Sequence, residues 1–334
     1  MSSIPSIGVV HYGLGPIGLA VAALVADRPW LRSVAAIDLS PNLVGLRLSE
    51  VSGQTPAGPV VTSTFQRTGE AAVALHCTGS SLAGVAPQIL ELAAAGLNVI
   101  STTEELAYPW DAHSAIAADI DAAARTAGVT VLGTGINPGY AMDYLAIVLS
   151  AVAQRVDQVV VHRVQDAATR RLPLQRKVGA GMEPAAFRDA VSSGRLGHVG
   201  LSESAHALAS AFNWRLTELS EKIEPICAEA PTMRAEGATI QPGQVLGLHQ
   251  TVEARVDSRT VISLTLDMAV GIGPSQDRVR LVGVPNLELQ ILQGLHGDVA
   301  TAAIVVNAIP RVLAAPPGLI VMGDLAPPTP GPPR

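Results

Sequence analysis

Cysteine is scarce in this sequence: Cys77 and Cys227 are its two copies in 334 residues. Two isolated thiols supply neither a disulfide framework nor a four-thiolate metal centre, and they suit a reducing, cytoplasmic setting. No metal site is expected. Charge is also sparse, at 15% of residues, with a net balance of -6. An acidic chain without Lys or Arg runs cannot track a phosphate backbone, which argues against nucleic acid as a partner. No uninterrupted apolar stretch reaches about 18 residues, so no membrane-spanning helix and no membrane partner are expected. The run 18–26 looks like a signal-peptide core, but no Lys or Arg precedes it and a glycine loop does. It reads as a buried crossover helix. Internal repeats are absent. What is present is a globular composition, 48% hydrophobic, long enough for two domains.

The first part of the chain alternates strand and helix. Short apolar strands are predicted at 7–11, 34–38, 60–64, 71–77, 98–101 and 129–133, with helices at 16–27, 86–95 and 112–126. Pro16 suits a first helical turn, and Gly96 and Gly128 suit helix ends. Buried strands between amphipathic helices predict an α/β Rossmann domain with a parallel sheet. Beyond about Gly135 the pattern changes. A strand at 156–164 and helices at 184–193 and 204–212 precede alternating runs at 251–256, 260–270, 279–284 and 287–292, with a turn near Asp257 and Ser258. Period-two alternation predicts an α+β substrate and dimerisation domain with a largely antiparallel sheet. The expected boundaries are 1–140 for dinucleotide binding, 141–296 for the second domain, and 297–325 for a helix and segment returning to the domain interface. Pro310 ends or kinks that helix. A Pro-rich tail, 326–334, is extended or disordered.

The loop Gly13-Leu14-Gly15-Pro16-Ile17-Gly18 follows a strand and opens a helix. In that context Gly13 permits a tight turn, Gly15 lets a pyrophosphate approach the backbone, and Gly18 lets the helix pack closely. The helix N-terminus adds N–H groups and a favourable dipole for the anion. The competing reading is a chance glycine-rich turn. Asp38 weighs against it, because it closes the second strand roughly 20 residues beyond Gly18, where a carboxylate can bond the adenosine ribose. A carboxylate there disfavours a ribose phosphate, and no Arg follows closely, so NAD is the expected cofactor. Ser40 and nearby amides leave room for NADP. Thr78 and Gly79, just past the fourth strand, and Asn137 are also assigned to the cofactor.

Ligands of open α/β sheets sit beyond the carboxyl ends of the strands. Three loops meet that description: 78–82, 102–110 and 133–140. The second carries Glu104 and Glu105. One of these could act as general base or hold an ammonium group. Alternatively both are solvated helix N-terminal residues, with Thr102 or Thr103 as cap and Glu105 in the first turn. Spacing alone leaves the two readings even. Asn137, before Pro138 and Gly139, is either a turn residue or a contact for substrate or nicotinamide. Tyr140, Met142, Leu172 and Trp110 are candidate apolar liners, and Met142 and Leu172 serve equally well as core. His162, Arg163, Gln165, His198 and His206 are polar candidates in the second domain, Arg163 and Gln165 being assigned to substrate. Arg170, Arg171, Arg176 and Lys177 form a basic cluster that meets cofactor phosphates or is a solvated face.

The stretches 101–110 (STTEELAYPW), 133–145 (GTGINPGYAMDYL), 170–182 (RRLPLQRKVGAGM) and 297–318 (GDVATAAIVVNAIPRVLAAPPG) resemble the 2,4-diaminopentanoate dehydrogenases and their relatives, the native amine dehydrogenases. The resemblance spans nearly the whole chain. It implies a dihydrodipicolinate-reductase-like fold, a homodimer, and NAD(P)-dependent oxidative deamination of a primary amine. The reverse is reductive amination of a ketone or aldehyde with ammonia. It places the family's key glutamate on Glu104, with Glu105 as second choice. The His-His pair and the Lys-x-Asp-Ala-Pro-Ser-Gly-Thr stretch of dihydrodipicolinate reductase itself are absent. Two alternatives stand beside this reading. One is another Rossmann oxidoreductase acting on an amino acid or hydroxy acid, with Arg163 as carboxylate clamp. The other is a non-enzymatic dinucleotide-sensing protein.

Overall fold

A computed structural model describes residues 6–53, 57–168, 172–234 and 237–332. The chain divides into two compact units, Met1–Tyr140 with His296–Arg334, and Ala141–Leu295. In chain order the first unit holds β1 (Ile7–Tyr12), α1 (Pro16–Ala26), β2 (Leu31–Ile37), α2 (Leu48–Ser52), β3 (Val61–Thr62), β4 (Ala71–His76), α3 (Leu82–Ala94), β5 (Asn98–Ser101), α4 (Ser114–Ala127) and β6 (Thr130–Gly133). The second holds α5 (Tyr144–Leu149), β7 (Arg155–Asp166), α6 (Leu172–Lys177), α7 (Pro184–Ser192), α8 (Leu201–Ala211), β8 (Glu218–Cys227), β9 (Thr232–Met233), β10 (Thr239–Ile240), β11 (Val245–Val256), β12 (Arg259–Ala269), β13 (Gln276–Val284) and β14 (Leu287–Leu292). The chain then returns to the first unit with α9 (Gly297–Ala314) and β15 (Gly318–Ile320).

The first unit is the Rossmann arrangement. Its seven strands are all parallel, in the order β15-β6-β5-β4-β1-β2-β3. β1 lies inside the sheet between β4 and β2 and is buried along Gly8–His11, as a strand covered on both faces must be. α1 packs on α9, burying Gly18, Val21, Ala22 and Val25, so the signal-like run is a core helix. α4 stops at Gly128, whose φ of 68° is the left-handed cap. The seventh strand, β15, lay hidden in the sequence behind Pro316 and Pro317 and has three residues.

α9 bears on the expectation that no helix spans a membrane. By length and composition it is apolar enough to cross a membrane. The run is interrupted by Asp298, Thr301 and Asn307, which a search for continuous apolar stretches rejects. Its apolar face packs against α1, β4, β5 and β6 and buries Ile304, Val305, Val306, Ile309 and Val312, so it is a core helix of this unit. Pro310 lies inside α9 and does not end it.

The second unit is α+β. Its six-stranded sheet runs β14-β13-β7-β12-β11-β8. Four pairings are antiparallel, and the central β7–β12 pairing is parallel. β11 and β12 form a long hairpin that closes at Val256 and Arg259 over Asp257, which takes a φ of 55°. One face of the sheet carries Val159, Val161, Leu248, Val252, Leu264 and Leu266 into a core shared with Phe187, Leu201 and Leu208 of α7 and α8. Fully burying each such side chain stabilises by about 1.5–3 kcal/mol. Arg170, Arg171 and the last two residues of the Pro-rich tail lie outside the described residues, while Arg176 and Lys177 are exposed at the end of α6.

Two histidines stand among the buried strands of the first unit. His11 on β1 bonds Ser33 Oγ through Nε2 at 2.9 Å and is 1% exposed. Burial lowers its pKa from 6.5 to about 4. The unfolded chain therefore takes up a proton near pH 6.5 that the fold resists until about pH 4. This contribution, about 3 kcal/mol by linkage, is complete above pH 6.5 and is lost as pH falls through that window. We predict that the urea midpoint drops between pH 7 and pH 4, and that His11→Asn drops less over the same range. Parallel pH profiles for the two proteins would contradict this.

Candidate active site

The carboxyl ends of β1, β2, β4, β5 and β6 carry the loops in which the sequence placed its candidates, and the structure joins those loops to one another. After β1, Gly13 takes a φ of 91°, and a Cβ there would sit 2.5 Å from the Cys77 carbonyl oxygen. A Cβ on Gly18 would lie 1.9 Å from the Gly13 carbonyl oxygen, so α1 approaches the loop backbone as only glycine allows. A Cβ on Gly15 would meet nothing within 4 Å. Gly15 is also the N-cap of α1, and no side chain caps that end. Open space beside uncapped N–H groups at a helix N-terminus is what a pyrophosphate requires, so Gly13, Leu14, Gly15, Pro16, Ile17 and Gly18 fit a dinucleotide.

Asp38 sits one residue past β2. Its Oδ2 accepts from Leu14 N at 2.6 Å and its Oδ1 from Ser40 N at 2.7 Å. The carboxylate thus ties the glycine loop to the β2 turn, and each oxygen keeps a further lone pair for ribose hydroxyls.

Past β4, Thr78 and Gly79 are exposed beside this loop, and the Thr78 methyl lies 2.9 Å from where a Gly13 Cβ would stand. Cys77, between them and β4, is half-buried, and desolvation pushes its thiol pKa up to about 12. It is no nucleophile at neutral pH.

Past β5, Glu104 and Glu105 open a single 3₁₀ turn, Glu104–Leu106. Thr103 precedes it without capping it through its side chain; its Oγ1 donates to Gly79 O at 2.8 Å. The two carboxylates differ in employment. Glu105 Oε2 accepts from Leu82 N at 2.6 Å, serving the start of α3, and stands 3.2 Å from His113 Nε2. Glu104 is half-buried, and among the described residues its carboxylate has no hydrogen-bond or ion-pair partner. Glu105 thus has structural partners that Glu104 lacks among the described residues.

Past β6, a Cβ on Gly133 would lie 2.4 Å from Leu106 backbone atoms, which seats the 133–140 loop against the Glu104 turn. Ile136 N donates to Thr301 Oγ1 of α9 at 3.3 Å. Asn137 is buried in this loop, and Tyr140 is half-buried at its end. Trp110 is exposed.

The remaining candidates belong to the second unit, and three have structural roles there. Arg163 is buried in an ion pair with Asp277, Nη1 to Oδ1 at 2.5 Å, and donates to Leu295 O at 2.7 Å. A guanidinium so engaged is no carboxylate clamp for an amino or hydroxy acid. Met142 is fully buried in the core of this unit, the alternative weighed for it. Gln165 is buried and donates to Val164 O. His162 and His249 flank Asp267 at 2.6 and 2.5 Å, and the two imidazoles hold that carboxylate below its usual pKa against the cost of burial. His198 bonds Gln250 through its backbone. Leu172 is half-buried at the start of α6.

Sequence reading missed the polar residues inside the apolar strand ends, chiefly His76 and Ser101. Their signal was a hydrogen-bonding side chain at the last position of a buried strand.

Residues 140–330 match the family described as the 2,4-diaminopentanoate dehydrogenase C-terminal domain. The chain is 31% identical over 331 residues to the 2,4-diaminopentanoate dehydrogenase of Acetoanaerobium sticklandii, covering 95% of this chain and 92% of that protein. Its fold is similar to the structure of an amine dehydrogenase from Mycobacterium smegmatis, with a TM-score of 0.85, 24% identity and 98% of each chain covered. It is also similar to GenD2 from gentamicin A biosynthesis in complex with NAD, with a TM-score of 0.57, 16% identity, and 97% of this chain and 91% of that one covered.

The two glycines of α1 separate packing from access. Gly18→Ala is predicted to destabilise the fold by about 1–3 kcal/mol, as overpacking does. Gly15→Ala, which meets open space, stays within about 0.5 kcal/mol of the parent. Denaturant unfolding measures both, and equal losses would contradict the geometry.

Proposed function

The chain belongs to the 2,4-diaminopentanoate dehydrogenase family and is an oxidoreductase acting on CH–NH2 groups, and from that premise we propose how it works. It oxidises a primary amine with NAD to a carbonyl compound and ammonia, and runs the reverse reductive amination. The observation that carries the proposal is the Glu104 carboxylate, which has no partner among the described residues and is held on a turn bonded to the loop after β4.

Bound NAD would supply the acceptor for a hydride from the carbon bearing the nitrogen. Gly13 to Gly18 and Asp38 hold the dinucleotide, and Thr78 and Gly79 border it. An amine reaches the protein as an ammonium ion, and its nitrogen must lose a proton before the carbon can give up hydride. Glu104 takes that proton and releases it to solvent. Loss of hydride leaves a cationic iminium, which the Glu104 charge stabilises. Water then adds to the iminium carbon. Glu104 takes the proton of that water and passes it to the departing nitrogen, so one carboxylate serves both proton transfers. Asn137 and Tyr140 bound the substrate.

NADH absorbance with a panel of primary amines, α-amino acids and alcohols tests this reading. Primary amines are expected to react, and turnover confined to α-amino acids or alcohols would sink it. Glu104→Ala is expected to lower kcat by about a hundredfold to ten-thousandfold, the range for a lost general base, while NAD affinity holds. Full activity in that variant would remove Glu104 from the mechanism.

Asp38 sets the cofactor preference in this account, since its charge opposes a ribose 2′-phosphate. Asp38→Ser is expected to raise the NADP/NAD ratio of kcat/KM by about tenfold or more, equivalent to ~1.4 kcal/mol. An unchanged ratio would show that Asp38 does not face the ribose.

A further inference from the structure

His76, the last residue of β4, has no part in the chemistry above, yet it is fully buried between the two loops that carry that chemistry. Its Nδ1 lies 2.8 Å from Ser101 Oγ, at the end of β5. Ser101 Oγ in turn contacts Thr103 Oγ1 at 2.9 Å and accepts from Thr103 N at 3.1 Å. Thr103 is the residue before Glu104, and its hydroxyl donates to Gly79 O. On the other side, His76 Nε2 lies 2.8 Å from Gln88 Oε1 and 2.9 Å from Thr78 Oγ1. Tyr12, ending β1, packs against the imidazole with ring centroids 5.6 Å apart.

We propose that His76 is a positioning residue: one nitrogen fixes the Glu104 turn through Ser101 and Thr103, and the other fixes the cofactor-side loop through Thr78 and Gln88. The inference rests on the assignment of Glu104 and the 78–79 loop made above. Burial lowers the His76 pKa, so the ring stays neutral, with one donor and one acceptor nitrogen, each with a partner. A ring tied at both ends transmits the spacing between two loops better than two separate bonds do. A displacement of about 1 Å at a reacting group costs on the order of a hundredfold in rate.

The two arms are separable. His76→Asn places polar atoms where Nδ1 stands and loses the reach to Thr78 and Gln88. His76→Gln reaches toward Thr78 and Gln88 and loses Ser101. The account expects His76→Asn to raise KM for NAD with kcat nearly kept. It expects His76→Gln to lower kcat about tenfold to a hundredfold with KM for NAD nearly kept. Should the His76 variants fail to fold, Ser101→Ala and Gln88→Met read the same two arms without touching the histidine. Each is measured beside Glu104→Ala, with thermal midpoints as control. The predicted split with Glu104→Ala inactive supports the proposal. Lowered midpoints with kcat and KM unchanged overturn it and leave the Glu104 assignment standing. Full activity of Glu104→Ala overturns that assignment, and the kcat arm with it.

Discussion

The approach of Gly18 to the Gly13 carbonyl is the contact on which the candidate site depends. A single added carbon would stand 1.9 Å from that oxygen. Because it is missing, α1 begins against the end of β1, and the open side of the loop is left to Gly15. Asp38 holds the same loop from β2 through Leu14 N. The Cys77 carbonyl closes on Gly13 from β4, and the loop after β4 is bonded in turn to the Glu104 turn by Thr103. The glycine loop and the Glu104 carboxylate, which has no partner among the described residues, are thereby built on one continuous set of strand ends, which is where ligands of parallel sheets bind.

The two adjacent glutamates show how local placement divides identical chemistry. Both sit on one 3₁₀ turn, and neighbours along the chain are not neighbours on its surface. Glu105 turns to the N-terminus of α3, where an uncapped N–H and the helix dipole favour a carboxylate. Glu104 has no such partner among the described residues, which is why the proposed mechanism rests on it. A cationic substrate intermediate would supply the partner it lacks.

Much of this was legible in the sequence, for physical reasons. The glycine spacing, Pro16, and an acidic residue closing β2 each answer a backbone requirement, so each is visible without the fold. Apolar runs of strand length located β1, β2, β4, β5 and β6. The second unit was legible as alternating strands, but its central parallel pairing was not, because parallel and antiparallel neighbours share the same alternation. β8 sets Leu219, Ile223 and Ile226 among Glu, Lys and Pro along a half-exposed edge, which breaks the strict alternation that marks the other strands. The roles of Arg163 and Met142 were not legible either. A buried ion pair with Asp277 joins residues 114 positions apart, and nothing local announces it. The division between Glu104 and Glu105 likewise depends on Leu82, which the sequence places 23 positions away from Glu105.

The central claim is that hydride leaves the carbon bearing the amine nitrogen and arrives on a dinucleotide held by the Gly13–Gly18 loop. Turnover of a primary amine deuterated at that carbon tests it most directly, with the reduced cofactor analysed by NMR. The account predicts one deuterium at C4 of the nicotinamide ring and none lost to solvent. A reduced cofactor free of deuterium would contradict it.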